Sequence, residues 1–175
     1  YVNGLLEGYS TTYHVNGQKQ SVVFFENDYE KGNWFEYYDN GNFALKGFFK
    51  DGYKDSIWTE YYPDGTKKNS LKYFEGEYHG YYKSWFSNGQ LRVEGNYLAG
   101  FEDKNWKYYY TNGSIKRELS YKDGKENGDF KSYFENGKLA ESGELSFGKL
   151  NGEWKFYHPN GNHKQTENWE QGKLI

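Results

Sequence analysis

Seven glycines, Gly17, Gly41, Gly65, Gly89, Gly113, Gly137 and Gly161, stand 24 residues apart without a slip. Six of them follow an asparagine, and Gly65 follows Asp64. Turn dipeptides held in unbroken register over a whole chain define a tandem repeat. Such a chain is built by stacking equivalent units, not around one central core. The 175 residues hold a little over seven units, so a single repeat domain spanning 1–175 is expected.

The unit has an internal period of two. Seven residues before each glycine stand Ser10, Trp34, Trp58, Tyr82, Trp106, Phe130 and Trp154, and three before stand His14, Tyr38, Tyr62, Phe86, Tyr110, Phe134 and His158. Two after it come Lys19, Phe43, Lys67, Leu91, Ile115, Leu139 and His163, and eight after it Phe25, Phe49, Tyr73, Tyr97, Tyr121, Leu145 and Trp169. Odd offsets before the turn and even offsets after it are mostly apolar, as in strands with one buried face. Each unit therefore reads as a β-hairpin.

Loop length follows from which offsets must share a face. A two-residue Asn-Gly loop pairs offset -3 with +2, -5 with +4 and -7 with +6, which keeps the apolar residues together. A three-residue loop pairs -3 with +1 and sets aromatics beside polar residues. Pro63 and Pro159, two before their glycines, suit a type I turn, which a four-residue loop also accommodates. An even-numbered loop is expected.

A second glycine series, Gly4, Gly52, Gly76, Gly100, Gly124, Gly148 and Gly172, marks the return turns, with Asp28 in the missing place. Another glycine often follows four residues later, but Ser56 and Lys104 replace it in two units. Both of those units follow a glycine at offset +6 (Gly47, Gly95), where other units carry Leu71 or Leu119, so a 48-residue super-period overlies the 24. The fold class expected is all-β: tandem hairpins in one elongated, twisted and curled antiparallel meander sheet, since sheets beyond about ten strands do not stay flat.

Composition excludes several functions. The 20 Tyr, 13 Phe and 6 Trp outnumber all aliphatic residues, so the core is aromatic. A net charge of -3 with interspersed signs argues against nucleic acid as a partner. No apolar run approaches the roughly 18 residues of a transmembrane segment. With no cysteine there is neither a disulfide nor a thiolate metal site. The first residue is Tyr1, which suits a processed N-terminus and favours an exported or surface location over a cytoplasmic one.

The unit G-x-W-x-x-Y-Y-x-N-G-x-L, seen in GNWFEYYDNGNFAL (32–45) and GEWKFYHPNGNH (152–163), resembles the MORN-repeat variant over essentially the whole chain. The standard MORN repeat is about a residue shorter and richer in Tyr-x-Gly. The resemblance implies scaffolds, membrane-associated organisers, or bacterial antitoxin and immunity proteins. Where such repeats accompany enzymes, catalysis resides in a separate domain.

No catalytic constellation is visible. His14 and His158 fill a slot held elsewhere by Tyr or Phe, and neither His79 nor His163 completes a metal-ligand spacing. Glu36 and Glu60, or Glu94 and Glu118, recur only because the repeat recurs. No enzyme, metal or cofactor is expected. The candidate site is the row at offset -4: Tyr13, Tyr37, Tyr61, Trp85, Tyr109, Tyr133 and Tyr157, on an otherwise polar face. In the two-residue register these rings sit opposite Gln20, Ala44, Lys68, Arg92, Lys116, Ala140 and Lys164, with Lys83 beside Glu94 and Lys107 beside Glu118. They serve either as cross-strand support or as a ladder at about 9.6 Å spacing that binds a partner. Tyr37, Tyr61, Trp85, Tyr109 and Tyr133 are the binding residues expected. The function expected is a non-catalytic scaffold for a protein partner, such as a toxin or a surface protein, and a homodimer is compatible with it. The alternative is a surface module that captures a glycan, a choline-like group or a lipid headgroup.

Overall fold

The computed structural model describes residues 2–175, and every regular element in them is a strand. The chain divides into two compact units. The first, ending at Gly89, holds β1 (Gly8–Tyr13), β2 (Lys19–Glu26), β3 (Tyr29–Tyr37), β4 (Phe43–Lys50), β5 (Tyr53–Tyr61), β6 (Lys67–Phe74) and β7 (Glu77–Trp85). The second, from Gln90, holds β8 (Leu91–Leu98), β9 (Phe101–Tyr109), β10 (Ile115–Lys122), β11 (Lys125–Tyr133), β12 (Leu139–Ser146), β13 (Lys149–Tyr157), β14 (His163–Glu170) and the short β15 (Lys173–Leu174). Within each unit the strands pair antiparallel in chain order, an open meander of hairpins as the 24-residue period requires.

The buried face is the one the parity selects. Trp58, Trp106, Phe130 and Trp154 at offset -7, Val23 and Leu119 at +6, and Leu145 at +8 are the buried apolar residues. In the first unit ring contacts run from Trp34 to Phe49 (5.4 Å), Trp58 (5.0 Å), Tyr73 (6.1 Å) and Tyr78 (5.2 Å), all four edge-to-face. In the second, Leu119, Phe130, Leu145 and Trp154 form one cluster, with Tyr108, Tyr121, Leu150, Phe156 and Trp169 packed around it.

The hairpin tips depart from the expected even-numbered loop. At the tip of β3–β4 the Gly41 amide donates to the Tyr38 carbonyl (3.0 Å) and the Tyr38 amide to the Asn42 carbonyl (2.8 Å). The loop is therefore the three residues Asp39, Asn40 and Gly41, with Gly41 left-handed at φ 85°. The same pair of bonds recurs around Gly17, Gly65, Gly113, Gly137 and Gly161. This is a type I turn closed by a left-handed glycine, the geometry that Pro63 and Pro159 suit. The apolar face survives because a β-bulge follows at once. Tyr37 pairs with Phe43 but Glu36 with Leu45, so Ala44 is the extra residue and the later pairs, Trp34 with Gly47 among them, fall in the expected register. Gln20, Lys68, Lys116, Ala140 and Lys164 are bulged in the same way.

The two-residue loops lie instead on the return side. Asn27 and Asp28 (φ 51° and 68°) join Glu26 to Tyr29, and Asp51 and Gly52 (φ 52° and 79°) join Lys50 to Tyr53. Positive φ at both central residues is the type I′ turn, whose twist matches that of the strands.

The recurrence of asparagine has its own cause. The Asn40 side-chain oxygen accepts from the Asn42 amide (3.0 Å), and its Nδ2 donates to the Pro63 carbonyl of the next tip (2.7 Å). Asn16 reaches Asp39, Asn112 reaches Glu135 and Asn136 reaches Pro159 in the same manner. Each asparagine closes its own turn and fastens the neighbouring one. Asp64 does the first job, through Thr66, and lacks the donor for the second. One residue row inward, the Tyr38, Tyr62 and Tyr110 hydroxyls donate to the Tyr61, Trp85 and Tyr133 carbonyls at 2.7–3.0 Å. His14 Nε2 bonds the Tyr37 carbonyl at 2.8 Å, so this histidine does the work of the tyrosine it replaces.

Candidate functional site

The five expected ring positions terminate β3, β5, β7, β9 and β11, and all five are half-buried. The structure corrects their partners. Because the bulge absorbs the residue at offset +3, Tyr37 pairs with Phe43, Tyr61 with Lys67, Tyr109 with Ile115 and Tyr133 with Leu139, not with Ala44, Lys68, Lys116 and Ala140. Tyr13 and Tyr157 likewise pair with Lys19 and His163, not with Gln20 and Lys164. The residues at +2, expected on the buried face near the tips, share the face of the rings and partly cover them.

The two units then differ in chemistry. In the second, the Tyr109 hydroxyl donates to Glu94 (2.6 Å) and the Tyr133 hydroxyl to Glu118 (2.9 Å), while Lys107 Nζ pairs with Glu118 at 3.0 Å as expected. Ser120 donates to Asn105 (2.8 Å) on the same face. Burial would raise the Glu118 pKa, but the hydrogen bonds from Lys107 and Tyr133 outweigh it and hold the carboxyl below its ordinary value. These rings are anchored by a polar network.

In the first unit the same face carries an apolar patch over β1–β4. Phe43 lies 4.8 Å from Tyr37, 5.9 Å from Phe35 and 6.4 Å from Tyr61, and Lys46 Nζ sits 3.4 Å above its ring. Further along β1–β4, Tyr9 packs on Phe24 (5.1 Å), and Tyr9, Val22, Phe24, Phe35 and Phe48 line a groove of about 360 Å³ with Lys31 at its rim. The equivalent offsets in the second unit hold Asn105, Lys107, Glu118, Ser120, Asp129 and Glu144. The apolar patch therefore breaks the repeat, which the fold alone does not demand. Sequence reasoning by column majority missed it. The available signal was Phe24, Phe35 and Phe48 standing in columns that are otherwise polar.

Several tyrosines are bonded and partly buried, with a consequence at high pH. Burial, and then hydrogen bonding to Tyr78 or Glu118, pushes Tyr73 and Tyr133 up to about 12. Tyr109 and Tyr121 are raised further, again chiefly by burial. A tyrosine whose folded pKa exceeds its unfolded value of about 10 stabilises the fold fully below that pH. The contribution is lost as the pH rises through the folded value. Unfolding is expected to begin between pH ~10 and ~12, with a late group of phenolates ionising together with the loss of circular dichroism. Ionisation of all the tyrosines near pH ~10 with the spectrum intact would refute this.

No group of three or more His, Asp or Glu side chains able to hold a metal occurs among the described residues, and no helix there is long and apolar enough to cross a membrane. Compared with known families, the chain matches the MORN repeat variant over 30–51, 78–99, 102–123, 126–145 and 150–174. Each match covers one hairpin, and together they span more than half of the chain. The chain belongs to the MORN repeat variant family, whose repeats commonly serve as modules for interaction with proteins or membranes. No curated protein matches it.

Proposed function

We propose that the chain is a non-catalytic scaffold for protein–protein interaction and that its partner seats on the aromatic face of the first unit. The observation that carries this is the break in symmetry: Tyr9, Phe24, Phe35, Phe43 and Phe48 make that face apolar beside Tyr37 and Tyr61, whereas the second unit fills the same columns with ion pairs and amides. Contiguous exposed apolar surface is where partners anchor. Of the five rings, Tyr37 and Tyr61 lie against Phe43 at this patch, and Trp85 ends β7 further along the same unit; these three are expected to carry more of the binding than Tyr109 and Tyr133, whose hydroxyls serve carboxylates. Sequestration of a toxin, in the manner of a bacterial antitoxin or immunity protein, is the particular form favoured, and a toxin gene beside this one would support it.

The second reading, capture of a glycan, a choline-like cation or a lipid headgroup, draws on Lys46, whose ammonium rests against Phe43 and lies 5.5 Å from Tyr61. A pull-down from lysate and a glycan array, run with the intact chain and with a Tyr37→Ala/Tyr61→Ala variant, separate the two. We expect one discrete protein to be enriched and to be weakened at least about tenfold by the variant (the loss of a pair of hot-spot rings), with circular dichroism unchanged. Glycan signal without a protein partner, or equal capture by the folded variant, would sink the scaffold reading at this face.

A further inference from the structure

The return edge of the first unit carries a second feature, independent of the aromatic face. Tyr29 and Tyr53 are the first residues of β3 and β5 and are 63% and 61% exposed. Glycine holds each ring in place: a Cβ on Gly52 would meet Tyr29 Cδ1 at 2.8 Å, and one on Gly76 would meet Tyr53 Cδ1 at 3.3 Å. Each ring thus lies against the return turn of the following hairpin, and the Gly52 and Gly76 amides donate hydrogen bonds to the Glu30 and Lys54 carbonyls, which ties each turn to the start of β3 or β5. Around the rings run two consecutive clefts of about 300 and 430 Å³. Glu26, Glu30, Asp51 and Lys31 line the first beside Tyr29. Asp51, Asp55, Glu75 and Lys50 line the second beside Tyr53. Each cleft sets three carboxylates against one lysine, and Asp51 is shared, so the two form one furrow.

We propose that this furrow docks a basic segment of a partner protein, extended as a polyproline II helix, with a cationic side chain at every third residue seated on Tyr29 and Tyr53. Charge complementarity selects the cation. Lys31 is already committed to Glu26, whereas Glu30, Asp51 and Glu75 form no salt bridge among the described residues. The field at the furrow shows in Lys31 itself, which is held above its ordinary pKa first by its bond to Glu26 and further by Asp51 and Glu7. An exposed ring flanked by carboxylates is the pairing that holds a guanidinium or ammonium over an aromatic face. Spacing selects the conformation. Rings two strands apart are separated by about 9.6 Å, and three residues of polyproline II advance about 9.3 Å. A cation at every second residue of such a helix advances only about 6.2 Å and misses the next ring.

The proposal is tested with the intact chain and fluorescent peptides by anisotropy at low and physiological salt. One peptide repeats Arg-Pro-Pro, a second of equal charge repeats Arg-Pro, and a third repeats Glu-Pro-Pro. The Arg-Pro-Pro peptide should bind about tenfold tighter than the Arg-Pro peptide, the gain of a second cation–ring contact, and the glutamate peptide not at all. Tyr29→Ala/Tyr53→Ala should lose about tenfold for the same reason. A Glu30→Gln/Asp51→Asn/Glu75→Gln variant keeps both rings and the left-handed turn, and should lose both affinity and salt dependence. Indifference to spacing or to charge sign, or wild-type binding by either variant with native circular dichroism, overturns the proposal. Lys31 borders both this furrow and the groove proposed for the protein partner, but none of the substituted residues lines that groove, so either result stands without the other.

Discussion

Replacing Gly95 with leucine should come close to unfolding the protein, and replacing Trp106 with phenylalanine in the same chain should restore most of the loss. Gly95 has no positive φ to demand a glycine. It is glycine because a Cβ there would lie 2.1 Å from Trp106 Cδ2. The indole leans back over the preceding strand and occupies the volume of the missing side chain, as Trp58 does over Gly47 (2.1 Å) and Trp154 over Gly143 (2.4 Å). Elsewhere the same pair of positions holds Leu71 with Tyr82 and Leu119 with Phe130, a larger residue at +6 and a smaller ring beyond it. Gly95→Leu must expel the indole, at about 3 kcal/mol or more, overpacking and lost burial together. Trp106→Phe alone leaves a hole worth about 2 kcal/mol. Together they recreate the Leu119–Phe130 pair. Urea midpoints at constant m should give a strongly favourable coupling in a double-mutant cycle; simple additivity of the two losses would refute the packing account.

The same pairs explain the super-period that the sequence displays. Gly47, Leu71, Gly95, Leu119 and Gly143 alternate because large and small residues must alternate to fill a row of constant width. The missing second glycine at Ser56 and Lys104 is a separate matter. Gly152 accompanies Gly143, so the two features do not travel together, and nothing in the structure explains those two residues.

Hairpin count, strand positions and buried face were legible because each depends on a period, and a 24-residue register repeated seven times leaves little room for alternatives. Loop length was not. The parity argument ruled out a three-residue tip on the assumption of continuous strands, but the bulge at Ala44 adds back the residue that the odd loop removes. A bulge leaves no periodic trace in sequence when every unit contains it. Pro63 and Pro159 were the local evidence, and they were right about the turn. The ring row was legible as a row, but its partners shifted by one residue with the bulge, so rings expected beside Ala44, Lys116 and Ala140 lie beside Phe43, Ile115 and Leu139. The apolar groove was overlooked for the opposite reason. Averaging columns across repeats reveals what the fold needs and suppresses what a single unit adds, and in a repeat protein function is written in the second kind of residue.

Deleting residues 149–175 should leave a folded protein, although it removes β13, β14, β15 and the buried Trp154. In the second unit each strand packs chiefly on the strands next to it in sequence. The loss is therefore local: Leu145 and Phe130 lose their cover, while Trp106 and Leu119 keep their neighbours on β9 and β10. Stability in such an array is a sum of unit and interface terms. Shortening should lower the melting temperature and the m-value together, because less surface is exposed on unfolding. Trp106→Ala, at full length, should instead cost about 3–5 kcal/mol with no change in m. Amide spectra of the truncated chain should superpose on those of the parent from β8 through β10 and depart only near β12. Collapse of the whole spectrum on truncation would show a core shared across the array, and the additive picture of its stability would fail with it.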